Sequence, residues 1–377
     1  MTAHAMLSAS SSYRWLHCPP SARLNAKARD EASPYALEGS AAHELAEYKL
    51  KSALGMKADN PTENLSYYSK EMEDAATYYA DHIMESLEGI KQTTADPIVL
   101  IEQRLDFSDI VPEGFGTADC IIIADDTLYL WDFKYGTGVL VEAERNPQLM
   151  LYGLAASLLF DGIYDFDEVK MTIFQPRRDN ISSFTLPKEE LYLWAEETVK
   201  PIATLAFEGK GDFAAGIWCQ FCKVKATCAE RASANLELAK YEFARPPLLT
   251  DEEIESVLGK LDELSAWAKD IKDYALTAAK SGKKWAGFKL VEGRSNRKYS
   301  DEAKVAETVK QAGFDPYEKK VLGITAMTQL LGRKQFSDLL GDLVIKPQGK
   351  PTLVPESDKR PEMTNIFDDF KEETIHD

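Results

Sequence analysis

The feature that most constrains the fold is a change of hydrophobic period near residue 97. Before it, residues 8–24, 35–54 and 69–91 carry apolar side chains at helical spacing. After it come β-branched and aromatic runs bounded by Gly, Pro or Asp-Asp turns, which predict strands over residues 97–107, 116–124 and 127–134. The pattern continues with a helix over 146–160, strands over 169–175 and 181–186, and a helix over 188–207. This order predicts an α+β fold with a mixed central sheet.

The length of 377 residues allows two or three domains. The pattern predicts a first domain over residues 1–245, ending near an Arg-Pro-Pro sequence. Residues 246–345 form a predicted accessory region, in which a helix over 250–281 opens with Thr250 and Glu253 at capping-box spacing and a small α+β module follows. Residues 346–377 are rich in Pro, Lys and Asp, which predicts a flexible tail.

The composition excludes few classes of function. The net charge is -18, but phosphate contacts depend on local basic patches rather than on the total charge. Residues 283–298 carry six Lys and Arg side chains and a single acidic one, Glu292. This basic segment is either a solvated loop or a contact for nucleic acid. No apolar run approaches the roughly 20 residues of a membrane span. The first twenty residues lack a basic segment followed by a long apolar one, so we expect a cytoplasmic protein with no membrane partner.

The candidate chemistry begins on two neighbouring predicted strands. Side chains alternate between the faces of a strand, so Asp132 and Lys134 share one face while Trp131 and Phe133 share the other. Asp119 ends a Gly-Thr-Ala-Asp run on the preceding strand. Two carboxylates from adjacent strands suit Mg²⁺ or Mn²⁺, with positions left for water and phosphate oxygens. The alternative is an Asp–Lys pair on a solvated face.

Two helical patterns flank these strands. His43 follows Gly39 by four residues inside the second helix, and a histidine in such a place, taken alone, is more often a partly buried structural residue. Gln148 and Tyr152 are four residues apart on the helix after the strands, so they face the same way.

In this order, Gly39-x-x-x-His43, Gly116-x-x-Asp119, Asp132-x-Lys134 and Gln148-x-x-x-Tyr152 resemble the motif series of PD-(D/E)XK nucleases, in particular their RecB-like branch with the AddB-type enzymes. The resemblance covers about residues 8–232. It implies a deoxyribonuclease, in particular an exonuclease that processes linear or single-stranded DNA ends in recombination or replication.

The same resemblance implies roles for individual residues. His43, Asp119, Asp132 and the Phe133 carbonyl would bind Mg²⁺ or Mn²⁺, and Lys134 would orient the attacking water and stabilise the developing charge. Gln148 would position the site and Tyr152 would support it. Glu102, on the first strand, is a lesser candidate for an outer acid or a solvent-facing strand residue.

The five cysteines fall into two groups. Cys120 follows Asp119 on a strand and is predicted to be a buried core thiol. The other four are predicted ligands of one metal group: Cys18, Cys219, Cys222 and Cys228. The thiolate set alone is compatible with a zinc knuckle. The resemblance to AddB-type nucleases instead implies a [4Fe–4S] cluster that ties the first helix to the end of the core.

The remaining candidates concern DNA and partners. Hydroxyls and a basic side chain at the first helix could hold a phosphate, although capping explains the serines equally well. The candidate DNA contacts are Ser11, Arg14, Lys284, Arg294 and Arg297. Residues 285–298 and 346–361 resemble a phage-associated family, which implies a bacteriophage or prophage setting and a single-strand-binding or annealing protein as partner. The rival functions are a catalytically silent DNA-binding scaffold of the same fold and a zinc-binding interaction module.

Overall fold

The computed structural model describes residues 5–28, 33–236, 250–292, 299–318, 320–345 and 353–354. The chain divides into two compact units, residues 1–281 and 282–377. The predicted domain boundary after residue 245 lies outside the described residues. So does the predicted tail from 346, except for residues 353 and 354.

The helices of the first unit begin where the sequence offers caps. Ser33 and Ser69 accept hydrogen bonds from the backbone N–H groups of Ala36 and Met72. Thr250 forms a complete capping box with Glu253. The helices are α1 (Ser12–His17), α2 (Ser21–Lys27), α3 (Pro34–Ala53), α4 (Lys70–Ile90), α5 (Pro147–Phe160), α6 (Lys188–Trp194), α7 (Lys200–Glu208), α8 (Ala229–Leu236) and α9 (Asp251–Lys280). A π-helical turn, Ala195–Val199, joins α6 to α7.

A five-stranded mixed sheet forms the centre of this unit. Its strands lie in chain order and are β1 (Ile98–Asp106), β2 (Phe115–Ile123), β3 (Thr127–Phe133), β4 (Glu168–Gln175) and β5 (Asn180–Pro187). β3 and β4 are parallel, and the other neighbouring pairs are antiparallel. Because parallel neighbours need a crossover, α5 carries the chain from β3 to β4. The predicted α+β class with a mixed sheet is confirmed.

The sheet separates two apolar clusters. On one face, Cys120, Ile122 and Phe133 pack with buried residues of α3 and α4. On the other face, Ile121 and Leu130 pack with α5 and the helices that follow the sheet. The alternation of side chains along β2 and β3 produces this division. Cys120 is fully buried, as predicted for a core thiol.

Ion pairs connect α8 with α9 in the same unit. Arg231 is 1% exposed, and its guanidinium lies 2.6 Å from a carboxylate oxygen of Glu263 and 2.6 Å from one of Asp270. Lys225 also pairs with Asp270, at 2.9 Å. A buried charge is tolerated only when it is paired, so these carboxylates hold α9 against α8.

The described part of the second unit contains α10 (Glu302–Gln311), α11 (Ile324–Leu331) and α12 (Arg333–Leu340). No strand lies among the described residues of 285–345, so the β component expected for that module is not seen there. None of the described helices is both long enough and apolar enough to cross a membrane.

Candidate metal centre

Three potential metal ligands from three different elements meet beside the sheet. They are His43 of α3, Glu102 of β1 and Asp119 of β2, and one ligand atom of each lies within 4.8 Å of the other two. His43 Nδ1 and Asp119 Oδ1 are 3.4 Å apart. The backbone N–H of Phe133 donates a 2.6 Å hydrogen bond to Asp119 Oδ2. One imidazole and two carboxylates form a donor set that suits a divalent cation.

The backbone of Glu102 is unusual for a strand residue. Its φ is +51°, in the left-handed region that residues other than glycine seldom adopt. The ladder pairs Ile101 with Cys120 and Gln103 with Ala118, while Glu102 and Asp119 lie between those pairs without one of their own. Both potential ligands thus occupy a local break in the β1–β2 ladder.

The break changes which face the following side chains occupy. Before it, Val99 and Ile101 pack against the cluster of α3 and α4, and Leu100 packs against the cluster of α5. After it, Leu105 belongs to the α5 cluster, although strict alternation from Ile101 would put it on the opposite face. This change of phase delivers the Glu102 carboxylate to the centre.

The charges of the centre are strongly coupled. Burial lowers the pKa of His43, but the Asp119 carboxylate outweighs burial and raises that pKa to about 8. Burial and then Asp119 raise the pKa of Glu102 to about 7. Burial opposes ionisation of Asp119 as well, yet His43 and the Phe133 N–H together lower its pKa. Near neutral pH the centre therefore holds protons that a cation could displace.

A second group of polar side chains lies on β3 and α5. Lys134 Nζ is 2.7 Å from Asp132 Oδ2. The Gln148 side chain donates to Asp132 Oδ1 at 2.9 Å and accepts from Lys134 Nζ at 3.1 Å. Asp132 is only 3% exposed, and burial raises the pKa of its carboxyl against the opposing effect of Lys134. The amide of Gln148 therefore holds the carboxylate and the ammonium in fixed relation.

Tyr152 supports this group through close packing on β2. A Cβ atom added to Gly116 would lie 2.6 Å from Tyr152 Cε1, so glycine is required where the ring crosses the strand. Burial raises the pKa of Tyr152, which keeps its hydroxyl protonated. Gly39 differs, because an added Cβ there would meet no atom within 4 Å.

The structure brings the predicted residues into two adjoining groups rather than one. His43 and Asp119 lie together as expected, and Glu102 joins them as a full member of the donor set. Asp132 is near enough to influence the pKa of His43, but its carboxylate is bonded to Lys134 and Gln148. The Phe133 side chain packs in the apolar cluster of α3 and α4, and the role of its carbonyl as a ligand stays a prediction.

The four predicted cluster cysteines line one cavity. Cys18, Cys219 and Cys222 are buried, and Cys228 is half-buried. Asn25 Nδ2 donates to Cys222 Sγ at 3.2 Å. Within the described part of the chain, no three cysteine sulfurs lie within 4.8 Å of one another. The thiols therefore share a cavity without being drawn into a compact ligand set, and the iron–sulfur cluster stays a prediction.

Arg14 occupies a different place from the one expected of a DNA contact. It is 9% exposed and lines the cysteine cavity, where its guanidinium donates to Ser21 Oγ at 2.9 Å. Burial there removes it from any phosphate at the surface. The Ser11 hydroxyl donates to the Ser8 carbonyl, Lys284 is exposed, and Arg294 and Arg297 lie outside the described residues.

Comparison with known proteins identifies a family. Residues 4–361 match the family described as "Protein of unknown function (DUF2800)". The chain belongs to this family. A solved structure titled "Crystal structure of SSO0001" is similar to part of the chain at 13% sequence identity, with a TM-score of 0.22. That match covers 49% of this chain and 95% of the other.

Proposed function

We propose that this member of the DUF2800 family is a divalent-metal-dependent DNA nuclease of the PD-(D/E)XK type. The observation that carries the proposal is the adjacency of a carboxylate-imidazole donor set and the Asp132–Lys134 pair. Hydrolysis of a phosphodiester builds negative charge on the phosphoryl oxygens. A cation site beside a fixed ammonium group can offset that charge, so the arrangement suits this chemistry.

Mg²⁺ or Mn²⁺ fits the donor set because hard oxygen ligands and one imidazole converge within a short distance. His43, Glu102 and Asp119 would hold the cation, with Asp132 and the Phe133 carbonyl as further proposed ligands. When bound, such a cation supplies Lewis-acid stabilisation of a phosphoryl oxygen and lowers the pKa of water.

The chain's own residues supply a positively charged ammonium group, that of Lys134, and hold it in a fixed position. Lys134 presents an ammonium whose position is set by Asp132 Oδ2 and Gln148 Oε1. In the proposed reaction it orients the attacking water and stabilises charge on the phosphate. Gln148 holds Asp132 and Lys134 at once, so loss of its amide would release both.

The test compares the wild-type protein with Asp132→Asn and Lys134→Ala on linear DNA in the presence of Mn²⁺. Both variants should lose degradation by at least about a hundredfold while keeping the fold, because each removes one member of the charged pair. Asp126→Asn, an exposed carboxylate in the β2–β3 turn, is the matched control and should keep full activity. Undiminished degradation by either site variant would refute the assignment.

The form of the substrate follows from the resemblance and needs its own experiment. We propose an exonuclease that processes DNA ends with a phage-type single-strand-binding or annealing partner. Linear duplex and single-stranded DNA should be degraded, and closed circular duplex should survive. Cleavage of the circle at a comparable rate would instead make the protein an endonuclease.

We also propose that the cysteine cavity holds a [4Fe–4S] cluster rather than zinc. All four cysteines line the one cavity, and the resemblance to AddB-type nucleases favours a four-iron group over a single zinc ion there. Buried Arg14 adds positive charge beside Cys18 and Cys222, which favours an anionic thiolate centre.

Anaerobically purified protein should be brown, absorb at about 400 nm and contain iron and sulfide. Serine substitution of Cys222 should remove these properties. A colourless protein carrying one zinc ion would exclude the cluster and leave the proposed nuclease centre untouched, since the two sites share no ligand.

A further inference from the structure

Tyr79 of α4 buries a hydroxyl that its packing does not need. The side chain is 2% exposed, and its ring lies 5.0 Å from that of Phe133 and 5.5 Å from that of Phe174. Within the described residues, the buried Tyr79 hydroxyl has no hydrogen-bond partner. A phenylalanine would make the same ring contacts without the cost of burying a polar group.

Tyr79 belongs to the lining of the candidate metal centre. Tyr79 lines one small cavity together with His43, Glu102, Asp119 and Phe133. A tyrosine hydroxyl carries one O–H donor, and here that donor has no partner among the described residues.

The cavity offers two carboxylates of different engagement. Asp119 pairs with His43 and accepts from the Phe133 N–H. Glu102 brings the second carboxylate to the same cavity and to the same donor set. A hydroxyl donor beside an oxygen-rich ligand shell is the kind of outer partner that orients metal ligands.

We propose that Tyr79 is a positioning residue of the metal centre, whose hydroxyl donates a hydrogen bond to the oxygen ligands around the bound cation. It orients those oxygens and strengthens cation binding without contacting the cation. The inference rests on the proposed metal centre and adds to it a residue outside the motif series.

The test is Mn²⁺ binding to the full-length protein, measured by calorimetry at pH 8 for wild type, Tyr79→Phe, Tyr192→Phe and Asp119→Asn. Tyr192 is the matched control, because its hydroxyl is also buried without a partner but lies in the other apolar cluster. Tyr79→Phe should weaken Mn²⁺ binding about tenfold, as loss of an outer hydrogen bond does at metal sites. Tyr192→Phe should bind Mn²⁺ like wild type.

Thermal unfolding separates positioning from packing. Without Mn²⁺, Tyr79→Phe should unfold at the wild-type temperature or above it, and with saturating Mn²⁺ it should gain less than wild type. Equal Mn²⁺ affinity in wild type and Tyr79→Phe, or a large loss of stability in the metal-free variant, would overturn the inference alone. If wild type and Asp119→Asn bind Mn²⁺ equally, the proposed centre itself is wrong and the role of Tyr79 falls with it.

Discussion

Cation binding at the candidate centre should release protons, and the pKa values of two side chains give the number of protons released. With a pKa of about 8 for His43 and about 7 for Glu102, both are largely protonated at pH 6.5. Together they hold about 1.7 protons at pH 6.5 and about 0.3 at pH 8.5. Because a metal ligand must be deprotonated, these are the protons that a bound cation displaces.

The affinity of the candidate centre for Mn²⁺ should rise with pH. Protons compete with the cation below the two pKa values, so affinity rises with pH and levels off above about pH 8. Multiplying the two protonation equilibria gives an increase of about 100-fold in Mn²⁺ affinity from pH 6.5 to pH 8.5, equivalent to about 2.7 kcal/mol. His43 contributes about 25-fold of this and Glu102 about fourfold.

Titration calorimetry under anaerobic conditions measures both quantities. Experiments in two buffers of different ionisation enthalpy give the proton number, and the binding isotherms give the affinity. Glu102→Gln should reduce the pH-dependent gain to about 25-fold, because only His43 still titrates. Release of fewer than about half a proton at pH 6.5, or an affinity that changes less than threefold, would contradict the assignment of these ligands.

Five further outcomes test the fold around the metal centre, α8 and the cysteine cavity. Glu102→Gly should stabilise the metal-free protein by about 1–2 kcal/mol in urea unfolding while weakening Mn²⁺ binding, since glycine accepts the positive φ without strain. Gly116→Ala should lower stability by about 1–3 kcal/mol, because the new methyl group meets the Tyr152 ring. Gly39→Ala is its control and should raise stability by about 0.5–1 kcal/mol, since the helix gains a better former in open space. Arg231→Met should cost about 2 kcal/mol by removing the partner of Glu263 and leaving Asp270 with Lys225 alone, a loss that thermal unfolding will detect. Removing the proposed cluster by chelation should cost up to about 5 kcal/mol, as expected for opening a cross-linked loop of about 200 residues.

Much of the fold could be predicted from local patterns. The change from helical to strand period near residue 97 located α3, α4 and the first three strands to within a few residues. Alternation along β3 correctly put Asp132 and Lys134 on the face opposite Trp131 and Phe133. These predictions succeed because period and capping act over a few neighbouring residues.

The candidate site was harder to predict. His43 and Asp119 stood out only through their place in a motif series, and Glu102 was ranked as a lesser candidate. Strict alternation gives no hint of a left-handed residue within β1. The available signal was a charged residue inside an apolar strand, opposite a strand whose first half contains Gly-x-x-Asp.

The sequence by itself determined the order of helices and strands, the carboxylate and ammonium on one face of β3, and the burial of Cys120. Only the tertiary structure decided that Glu102 joins the donor set and that Arg14 turns inward to the cysteine cavity. The physical reason is that hydrophobic periodicity specifies which face of a helix or strand a side chain occupies, but not which other element packs against that face. Which groups meet depends on a ladder break and on packing between residues far apart in the chain.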